Sequence, residues 1–322
     1  MYDRGLSVLE KYGLQAGSSW RGRGALLCQT QAGLVIIREF GGSAKKLQKQ
    51  RELLAQLEDG CPHPVDQILE NQDGELVTTD KDGVPYVVRR WYEGRECDTR
   101  SPEDICRGAA ALGGIHKFMH LELGEEYAHI SLAEEYERHN RELRKIRKFI
   151  RTKRRHNPFE QQYLESVQWF LERGEEALER LYASDYEKLR RQALEQGQVC
   201  HGECNQHNVL LCGEQTAVTN FDKFCQDTQV ADLYCFMRKI LEKNGWSREL
   251  ADQMADSYDR ACGLSREQYE NLKVRFLYPE KYWKLANHYY NHNKAWISEK
   301  NIEKITKLIN SKKAWHDLGN GL

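Results

Sequence analysis

The chain has 322 residues, which is too long for one small hydrophobic core and suits a protein of two lobes. Charged residues make up 30% and hydrophobic residues 40%, a balance that excludes an extensively disordered chain. The formal net charge of −1 gives the whole molecule no strong attraction to nucleic acid or to a membrane surface, so we expect neither as a partner.

The N-terminal segment and the cysteines indicate the compartment. The first residues, MYDRGLSVLEKYG, lack the apolar core of a signal peptide, and no apolar run could span a bilayer, so we expect synthesis in the cytoplasm. Of ten cysteines, five lie between Cys200 and Cys235, with His201 and His207 among them. A zinc site is conceivable there, but no Cys-x-x-Cys pair occurs, and reduced, mostly buried thiols are favoured over zinc or disulfides.

The first part of the chain predicts a small lobe of strands with one main helix. Apolar residues alternate in the β-like runs and recur at helical spacing in between. The predicted elements are a short helix at Asp3 to Tyr12, strands at Ala25 to Thr30 and Leu34 to Phe40, a helix at Ala44 to Leu57, and a hairpin of Leu76 to Thr79 with Tyr86 to Trp91.

The character of the sequence changes at Glu93-Gly94, after which most of the chain reads as helix. Ser101 is a good N-cap and Pro102 suits the first helical turn. Long helical stretches follow at 132–195, broken near Asn157-Pro158, and again at 230–244. The sequence therefore predicts an α+β fold with an N-terminal lobe at residues 1–92 and a helical C-terminal lobe at residues 93–322.

The candidate functional motif is HGECNQHNVLL, from His201 to Leu211, followed by AVTNFDKF. Its first half has the pattern His-x-acid-x-x-x-x-Asn. Phosphotransferases use such a pattern, because an acid must face the acceptor hydroxyl and an Asn holds a metal beside the phosphates. The acid here is Glu203, where such enzymes carry Asp, and Asn220 stands where a metal-binding Asp is expected.

Several segments together resemble the CotS-type spore coat proteins of endospore-forming bacteria, which are relatives of aminoglycoside and choline phosphotransferases. The segments are RGRGALL, WYEGRECD, HGECNQHNVLL, TNFDKF, DLYCFMRKILEKNGW and YPEKYWKLANHYYN, and the resemblance that rests on them extends over nearly the whole chain. The resemblance implies a bilobal protein-kinase-like fold, ATP and Mg²⁺ as candidate cofactors, and other spore coat proteins as partners. It also implies a protein that moves from the mother-cell cytoplasm to the spore coat.

The resemblance assigns a nucleotide-binding set in the N-terminal lobe. The turn at 21–25, with Gly22 and Gly24, would approach the phosphates, although an ordinary β-hairpin turn can have the same sequence. Arg38 stands where the third strand of kinases carries a phosphate-binding Lys, and Glu52 would be its partner on the following helix. A surface Arg and Glu without any role in nucleotide binding would give the same sequence pattern. Arg90 and Trp91, at the lobe junction, complete the set.

The resemblance assigns catalysis and metal binding to the C-terminal motif. His201 would brace the loop backbone, and Glu203 would be an impaired base, because its extra methylene shifts the carboxylate and a 1 Å misplacement can cost about 10²-fold. Asn208 would bind a metal. Either Asn220 or Asp222 would be the second metal-position residue, since the two share a face if the strand persists, and we favour Asn220.

Four further features have ordinary structural interpretations. Asp232 is expected to brace the motif, and His116 to be a packed histidine. The aromatic residues at 278–290 could cage a ligand but more often form a core. The basic run at 144–156 could bind a phosphate-rich polymer or an acidic surface, but Ile146, Phe149 and Ile150 at helical spacing favour a packed helix with a solvated face.

Two functions compete. The first is a spore coat scaffold, a pseudokinase whose phosphotransferase site is degraded, because Arg38, Glu203 and Asn220 depart together from the enzyme pattern. The alternative is an active ATP-dependent phosphotransferase acting on a hydroxyl of a small molecule or a coat component. It is supported by the retained His201, the acid at Glu203, Asn208 and Asp222. Nucleic-acid binding through the basic run is a weaker third hypothesis.

Overall fold

The computed structural model describes residues 5–22, 24–291 and 299–322. Two compact units share the chain. Unit 1 comprises Met1–Tyr127, Gly197–Gln226 and Asp256–Gly263, and unit 2 comprises Ala128–Gln196, Asp227–Ala255 and Leu264–Leu322. Each unit is therefore assembled from separated segments of the sequence. The lobe boundary at residues 92 and 93 stays a prediction.

Strands dominate the first part of the chain and helices the rest, which confirms the α+β prediction. The strands are β1 (Ser19–Gly22), β2 (Ala25–Thr30), β3 (Gly33–Glu39), β4 (Thr78–Thr79), β5 (Pro85–Arg90), β6 (Arg95–Glu96), β7 (Val199–Cys200), β8 (Val209–Cys212), β9 (Gln215–Val218) and β10 (Cys225–Gln226). The helices are α1 (Ala44–Gly60), α2 (Pro102–His116), α3 (Leu132–Arg151), α4 (Pro158–Tyr182), α5 (Tyr186–Glu195), α6 (Val230–Leu241), α7 (Arg248–Cys262), α8 (Arg266–Leu277), α9 (Glu280–Asn291) and α10 (Glu299–Gly321).

The predicted first helix is a 3-10 helix at Leu6–Tyr12, and the glycine after it, Gly13, has φ +65°. Residues 3 and 4 of that prediction lie outside the described residues. The helix packs on the sheet through Val8 and Leu9, which are both 1% exposed. A short, tightly wound segment suffices here because its stability comes from burial of these two side chains rather than from helix length.

A five-stranded antiparallel sheet in the order β1-β2-β3-β5-β4 forms the N-terminal part of unit 1. Because side chains alternate along a strand, its two faces carry different residues. One face packs on the 3-10 helix through an apolar cluster that includes Ile37 and Val88. The other face carries Leu27, Ile36 and Trp91, which pack against the β8–β9 hairpin.

An irregular segment at residues 64–69 joins this sheet to the hairpin. The backbone of Val218 donates to Pro64 O at 2.9 Å, and that of Leu69 donates to Val88 O at 2.9 Å. The hairpin itself extends β6 into a three-stranded sheet, in the order β6-β8-β9. A segment tied at both ends holds its side chains in fixed positions without belonging to a regular element.

Helix boundaries follow the capping signals of the sequence. Ser101 caps α2, with Pro102 in its first turn. Asn157 and Glu160 form a capping box at the start of α4, where the break was predicted. His116 is 1% exposed and its Nδ1 lies 2.7 Å from Tyr258 Oη, so it is a packed histidine as predicted.

The aromatic residues at 278–290 divide between the core and the surface of unit 2. Tyr278 stacks on Tyr136 with ring centroids 3.6 Å apart, and Tyr282 stacks on Phe170 at 3.9 Å. Both tyrosines are almost fully buried, whereas Tyr290 is 39% exposed. The prediction of a packing role is confirmed for Tyr278 and Tyr282, whereas Tyr290 packs at the surface, edge to face with Phe149.

The interpretation of the basic run needs one correction. Ile146 and Ile150 are buried as expected, but Phe149 is 41% exposed. A helix turns about 100° per residue, so Ile150 lies about 40° from Ile146 on one side and Phe149 about 60° from it on the other. Phe149 therefore stands at the edge of the buried face, where it reaches solvent.

Three findings on the described residues concern disulfides, metal ions and membrane spans. All ten cysteines lie in the described residues, and none of them forms a disulfide. No cluster of His, Cys, Asp and Glu suited to a metal ion occurs in the described residues. Of the helices described, none combines the length and the apolar character needed to cross a bilayer.

Candidate functional site

The loop between β7 and β8 is held by His201, whose side chain is fully buried. Its Nε2 lies 2.9 Å from Thr219 O, and its Nδ1 lies 3.2 Å from Glu203 N. Because the backbone N–H of Glu203 can only donate, Nδ1 accepts and the proton resides on Nε2. His201 therefore works as a neutral brace between the loop and the segment that follows β9.

Glu203 is exposed, and its backbone O accepts from Asn205 Nδ2 at 2.9 Å and Asn208 Nδ2 at 3.0 Å. The preceding Gly202 has φ +80°, and a Cβ there would lie 2.0 Å from Lys223 O. Only glycine fits this close approach. The backbone of the loop is thus fixed on both sides of Glu203.

Asn208 and Asn220 face each other. Asn220 Nδ2 lies 3.5 Å from Asn208 Oδ1, at the limit of a hydrogen bond. Strand β9 ends at Val218, and Asn220 has the left-handed backbone angles φ 71° and ψ 58°. The strand does not persist as considered from sequence, so a shared strand face does not relate Asn220 to Asp222. A short 3-10 turn instead carries Asp222.

Arg38 reaches both residues of the proposed metal position. Its Nη1 donates to Asn220 Oδ1 at 2.7 Å and lies 3.5 Å from Asp222 Oδ2. The guanidinium carbon is 6.0 Å from the ring centroid of Trp91, within the range of a cation–π contact. Arg38 is therefore anchored to the protein's own acid and amide groups.

A second arginine, Arg89, was missed by the sequence reasoning. It lies opposite Ile36 in the β3–β5 register, while Arg38 lies opposite Val87, so both arginines project from the same sheet face. Arg89 Nη2 donates to Asp222 Oδ1 at 2.7 Å, and Nη1 lies 3.2 Å from Asp66 Oδ2. Alternation along a strand shows that Arg38 shares a face with Ile36. To place Arg89 on that same face, one must also know the pairing register of β3 and β5, which the sequence does not give.

Asp66 and Gln50 complete the cluster and were also missed. Asp66 Oδ1 accepts the backbone N–H of Asn220 at 2.9 Å. Gln50 Oε1 accepts from Arg89 at 3.1 Å, and Gln50 Nε2 lies 3.3 Å from Asp222 Oδ1. We name Arg38, Gln50, Asp66, Arg89, Asn220 and Asp222 the arginine–aspartate cluster. It contains two cations and two carboxyl groups, so its formal charge is zero when all are ionised.

The two carboxyl groups of the cluster differ in their environments. The Asp66 side chain is 1% exposed, and burial raises its pKa although Arg89 and the Asn220 amide oppose the shift. The Asp222 side chain is 44% exposed. Burial would raise its pKa as well, but Arg89, Gln50 and Arg38 outweigh that effect and hold the pKa of Asp222 below its usual value.

The structure places the remaining predicted residues around this cluster. Glu52, predicted to pair with Arg38, forms an ion pair with Lys49 at 2.7 Å, and the α1 side chain in the cluster is Gln50. Arg90 is exposed on the opposite face from Arg89 and pairs with Glu58. Trp91 is buried in the apolar cluster between the sheet and the hairpin. Gly22 ends β1, and Gly24, with φ +67°, precedes β2. Residue 23, between these two glycines, lies outside the described residues.

The donor set does not fit a divalent cation as the side chains stand. Mg²⁺ requires oxygen ligands in octahedral geometry, with negative charge close by. The oxygen that Asn220 could offer accepts from Arg38, and the Asp222 carboxylate is held by two guanidinium groups. Asn208 adds only a neutral amide. A positive side chain therefore occupies the place beside these ligands.

Comparisons with known proteins identify the relatives of this fold. The family model described as "Spore coat putative kinase YutH" matches residues 6–318. Spore coat protein S of Bacillus subtilis (strain 168) is 26% identical over 144 residues, which is 44% of this chain and 41% of that protein. The chain thus matches less than half the length of this curated relative.

Solved structures agree on the fold. An aminoglycoside phosphotransferase from Alicyclobacillus acidocaldarius has a TM-score of 0.87 at 15% identity, covering 98% of this chain and 94% of that one. A spectinomycin phosphotransferase in complex with ADP and spectinomycin has a TM-score of 0.62 at 12% identity, covering 95% and 94%. The predicted kinase-like fold is confirmed, and at these identities the likeness extends to the fold alone.

Proposed function

We propose that this chain, which belongs to the family of spore coat putative kinases named YutH, is a kinase-shaped scaffold of the spore coat. Its phosphotransferase site no longer catalyses phosphate transfer. The observation that carries the proposal is the 2.7 Å hydrogen bond from Arg38 to Asn220. A cation supplied by the protein stands where phosphoryl transfer needs a metal ion, and an amide stands where it needs a carboxylate.

Electrostatics make this substitution consequential. A divalent ion coordinated to Asn220 Oδ1 would lie about 4 Å from the Arg38 guanidinium. The repulsion between charges of +2 and +1 at that distance is roughly 8 kcal/mol at an effective dielectric constant near 20. Binding of a metal therefore requires Arg38 to leave both Asn220 and Asp222. The neutral amide of Asn220 brings no negative charge to offset this repulsion, whereas an Asp would.

The apolar surface beside Arg38 supports the same conclusion. A nucleotide base needs an apolar slot near its phosphates. Next to Arg38, Trp91 packs with Leu34 and Ile36 of the sheet and with Leu210 of the hairpin, and all four side chains are at most 7% exposed. The protein's own side chains therefore cover this surface.

An active phosphotransferase is the second candidate, and one observation favours it. His201 fixes the backbone of Glu203, whose side chain is exposed to an incoming acceptor hydroxyl. Relatives of the same fold have been solved with ADP and with AMP-PNP and Ca²⁺. Binding of ATP is compatible with the scaffold proposal, whereas magnesium-dependent transfer of its phosphate is not.

The cellular part of the proposal comes from the family. We propose other spore coat proteins as partners, with synthesis in the mother-cell cytoplasm followed by assembly into the coat.

Phosphate release from ATP tests the proposal directly. Purified protein is incubated with ATP and Mg²⁺ or Mn²⁺, and inorganic phosphate and transfer to added coat extract are measured. We expect rates equal to those of the Asn208→Ala variant. Magnesium-dependent transfer that disappears in Asn208→Ala would sink the scaffold proposal and leave the phosphotransferase. A parallel thermal shift with ATP, with and without metal, reports binding separately.

A gain-of-function variant asks whether the site is degraded. The Glu203→Asp/Asn220→Asp variant places Asp at two of the three positions that depart from the enzyme pattern, and adding Arg38→Lys restores the third. We expect activity to appear only in these combined variants. An Asn310→Asp variant on α10, where the residue is exposed, controls for added negative charge. If the wild type and the combined variants transfer phosphate at the same measurable rate, the wild-type site is not a degraded one.

A further inference from the structure

An exposed cationic surface lies at the C-terminal end of α3 and in the turn that follows it. Five of its side chains are exposed and have no ion-pair, hydrogen-bond or ring partner among the described residues, namely Lys145, Lys148, Arg151, Arg154 and Arg155. We name these five the α3 cationic surface. Cations without partners on a folded chain are available to an outside anion.

The neighbouring cations show the contrast. Lys153 forms an ion pair with Glu160 at 2.5 Å, Arg147 donates to Gln168 at 2.6 Å, and Arg144 pairs with Glu175. These three bind α3 and the turn after it to α4. The packing of the helix therefore uses three cations and leaves the other five to solvent.

Charge is unevenly divided along the chain. Residues 144–156 contain eight Lys and Arg and no acid, so the remaining residues contain 40 Lys and Arg against 49 Asp and Glu. The remainder has a formal net charge of −9, which the total of −1 conceals. The α3 cationic surface is thus a local positive region on a negative molecule.

Helix electrostatics explain only part of this surface. Cations in the last turn interact favourably with the C-terminal end of the helix dipole. Lys148 and Arg151 lie in that turn. Lys145 lies before it, and Arg154 and Arg155 lie beyond the end of the helix, where the dipole effect has faded. Three of the five cations therefore need another explanation.

Two aromatic rings stand among these cations. Phe149 is 41% exposed and Tyr290 is 39% exposed, and their rings meet edge to face with centroids 5.4 Å apart. The Lys153 ammonium lies 4.9 Å from the Phe149 ring centroid. Exposed aromatic side chains beside arginine are typical of the anchoring residues in protein–protein interfaces.

We propose that the α3 cationic surface, with Phe149 and Tyr290, docks an acidic segment of a partner protein. The scaffold role under Proposed function gives such docking a purpose, but the binding itself does not depend on the loss of catalysis. Charge complementarity identifies the occupant, because five exposed cations favour carboxylate-rich chain and the aromatic pair accepts one apolar side chain in its midst.

The same charge distribution argues against nucleic acid. A long polyanion would extend past the surface and meet the negative remainder of the molecule, beyond a Debye length of about 8 Å. Lys153 already lies over one face of the Phe149 ring, and the Tyr290 ring meets Phe149 edge to face, so both rings are partly engaged where a base would have to stack. A short acidic segment avoids both problems.

Fluorescence anisotropy with the full-length protein tests the proposal. The probes are a labelled oligoglutamate peptide with one central Leu, the matching oligoglutamine peptide, and a single-stranded oligo-dT of equal length. We expect the glutamate peptide alone to bind, with affinity falling as salt rises from about 0.05 to about 0.3 M. The Lys148→Gln/Arg151→Gln variant should bind about fivefold more weakly.

A matched control separates this surface from general charge. Lys188→Gln/Lys243→Gln removes two exposed lysines from other parts of unit 2 and should change the affinity less than about twofold. Phe149→Ser should reduce the preference for the Leu-containing peptide over an all-glutamate one. Thermal melting confirms that each variant is folded, since none of these side chains is buried.

Four outcomes would overturn the proposal. They are no binding of oligoglutamate at low salt, an equal loss in the control variant, binding of oligo-dT at least as tight as that of the peptide, and self-association abolished by Lys148→Gln/Arg151→Gln. The last would make a second copy of this chain the occupant. None of them bears on phosphate transfer, so this proposal and the proposed function fail independently.

Discussion

Replacing Arg89 by Met tests the energetics of the arginine–aspartate cluster. The variant keeps the aliphatic volume but leaves Asp66, with a 1% exposed side chain, without its cation. Removing one partner of a buried ion pair costs about 3–5 kcal/mol. Asp222 adds little because its side chain is 44% exposed. At about 2 °C per kcal/mol for a chain of this size, we expect the melting temperature to fall by about 6–10 °C.

The loss should depend on pH, because the uncompensated carboxyl can take up a proton. Burial already raises the pKa of Asp66, and loss of Arg89 raises it further. A carboxyl group with a raised pKa in the folded state stabilises that state below the unfolded pKa, near 3.9, and the benefit is lost as pH rises through the folded value. The deficit of the variant should therefore be smaller at mildly acidic pH than at pH near 8.

Two further variants make the reasoning refutable. Arg90→Met, one residue along the strand, removes an exposed pair with Glu58 and should cost less than about 1 kcal/mol. Arg89→Met/Asp66→Asn removes the stranded charge and should recover roughly 2 kcal/mol. Equal melting temperatures for Arg89→Met and Arg90→Met, or no recovery in the double variant, would refute a buried charge cluster at this position.

Two other predictions concern backbone and charge. Gly202→Ala places a Cβ 2.0 Å from Lys223 O at φ +80° and should cost at least about 3 kcal/mol by urea denaturation, whereas Gly213→Ala, at φ +63° in open space, should cost about 1 kcal/mol. Burial alone would raise the pKa of Glu280, but neighbouring cations led by Arg238 lower it to about 2. The Glu280 side chain is one-fifth exposed, so Glu280→Gln should lower the free energy of unfolding by roughly 2 kcal/mol at neutral pH. In melting curves, the difference between wild type and variant should vanish as pH falls from about 4.5 to about 2.

The α+β class and the candidate loop could be predicted from sequence because both depend on local patterns, whereas the kinase-like fold was implied by the resemblance to a known family. Apolar spacing located α1 and the strands β2, β3 and β5, and residues such as Ser101 and Asn157 marked where helices begin. The motif from His201 to Asn208 named the loop in one short window. Such signals act between residues a few positions apart, so they survive without any knowledge of tertiary contacts.

The neighbours of the loop could not be predicted in this way. Whether Arg89 or Arg90 enters the cluster depends on the register of β3 and β5, and a shift of one residue exchanges the two faces. Whether Gln50 or Glu52 does so depends on the rotation of α1 about its axis, which packing sets.

The sequence by itself determined the kinase-like fold, the motif and the departures Arg38, Glu203 and Asn220. Only the tertiary structure decided what Arg38 binds. Asp66 lies in an irregular segment with no periodicity. It accepts a hydrogen bond from the backbone N–H of Asn220, which is 154 positions away in the sequence. Hydrogen bonds across such separations follow from how the strands and loops close together, and no pattern of neighbouring residues encodes them.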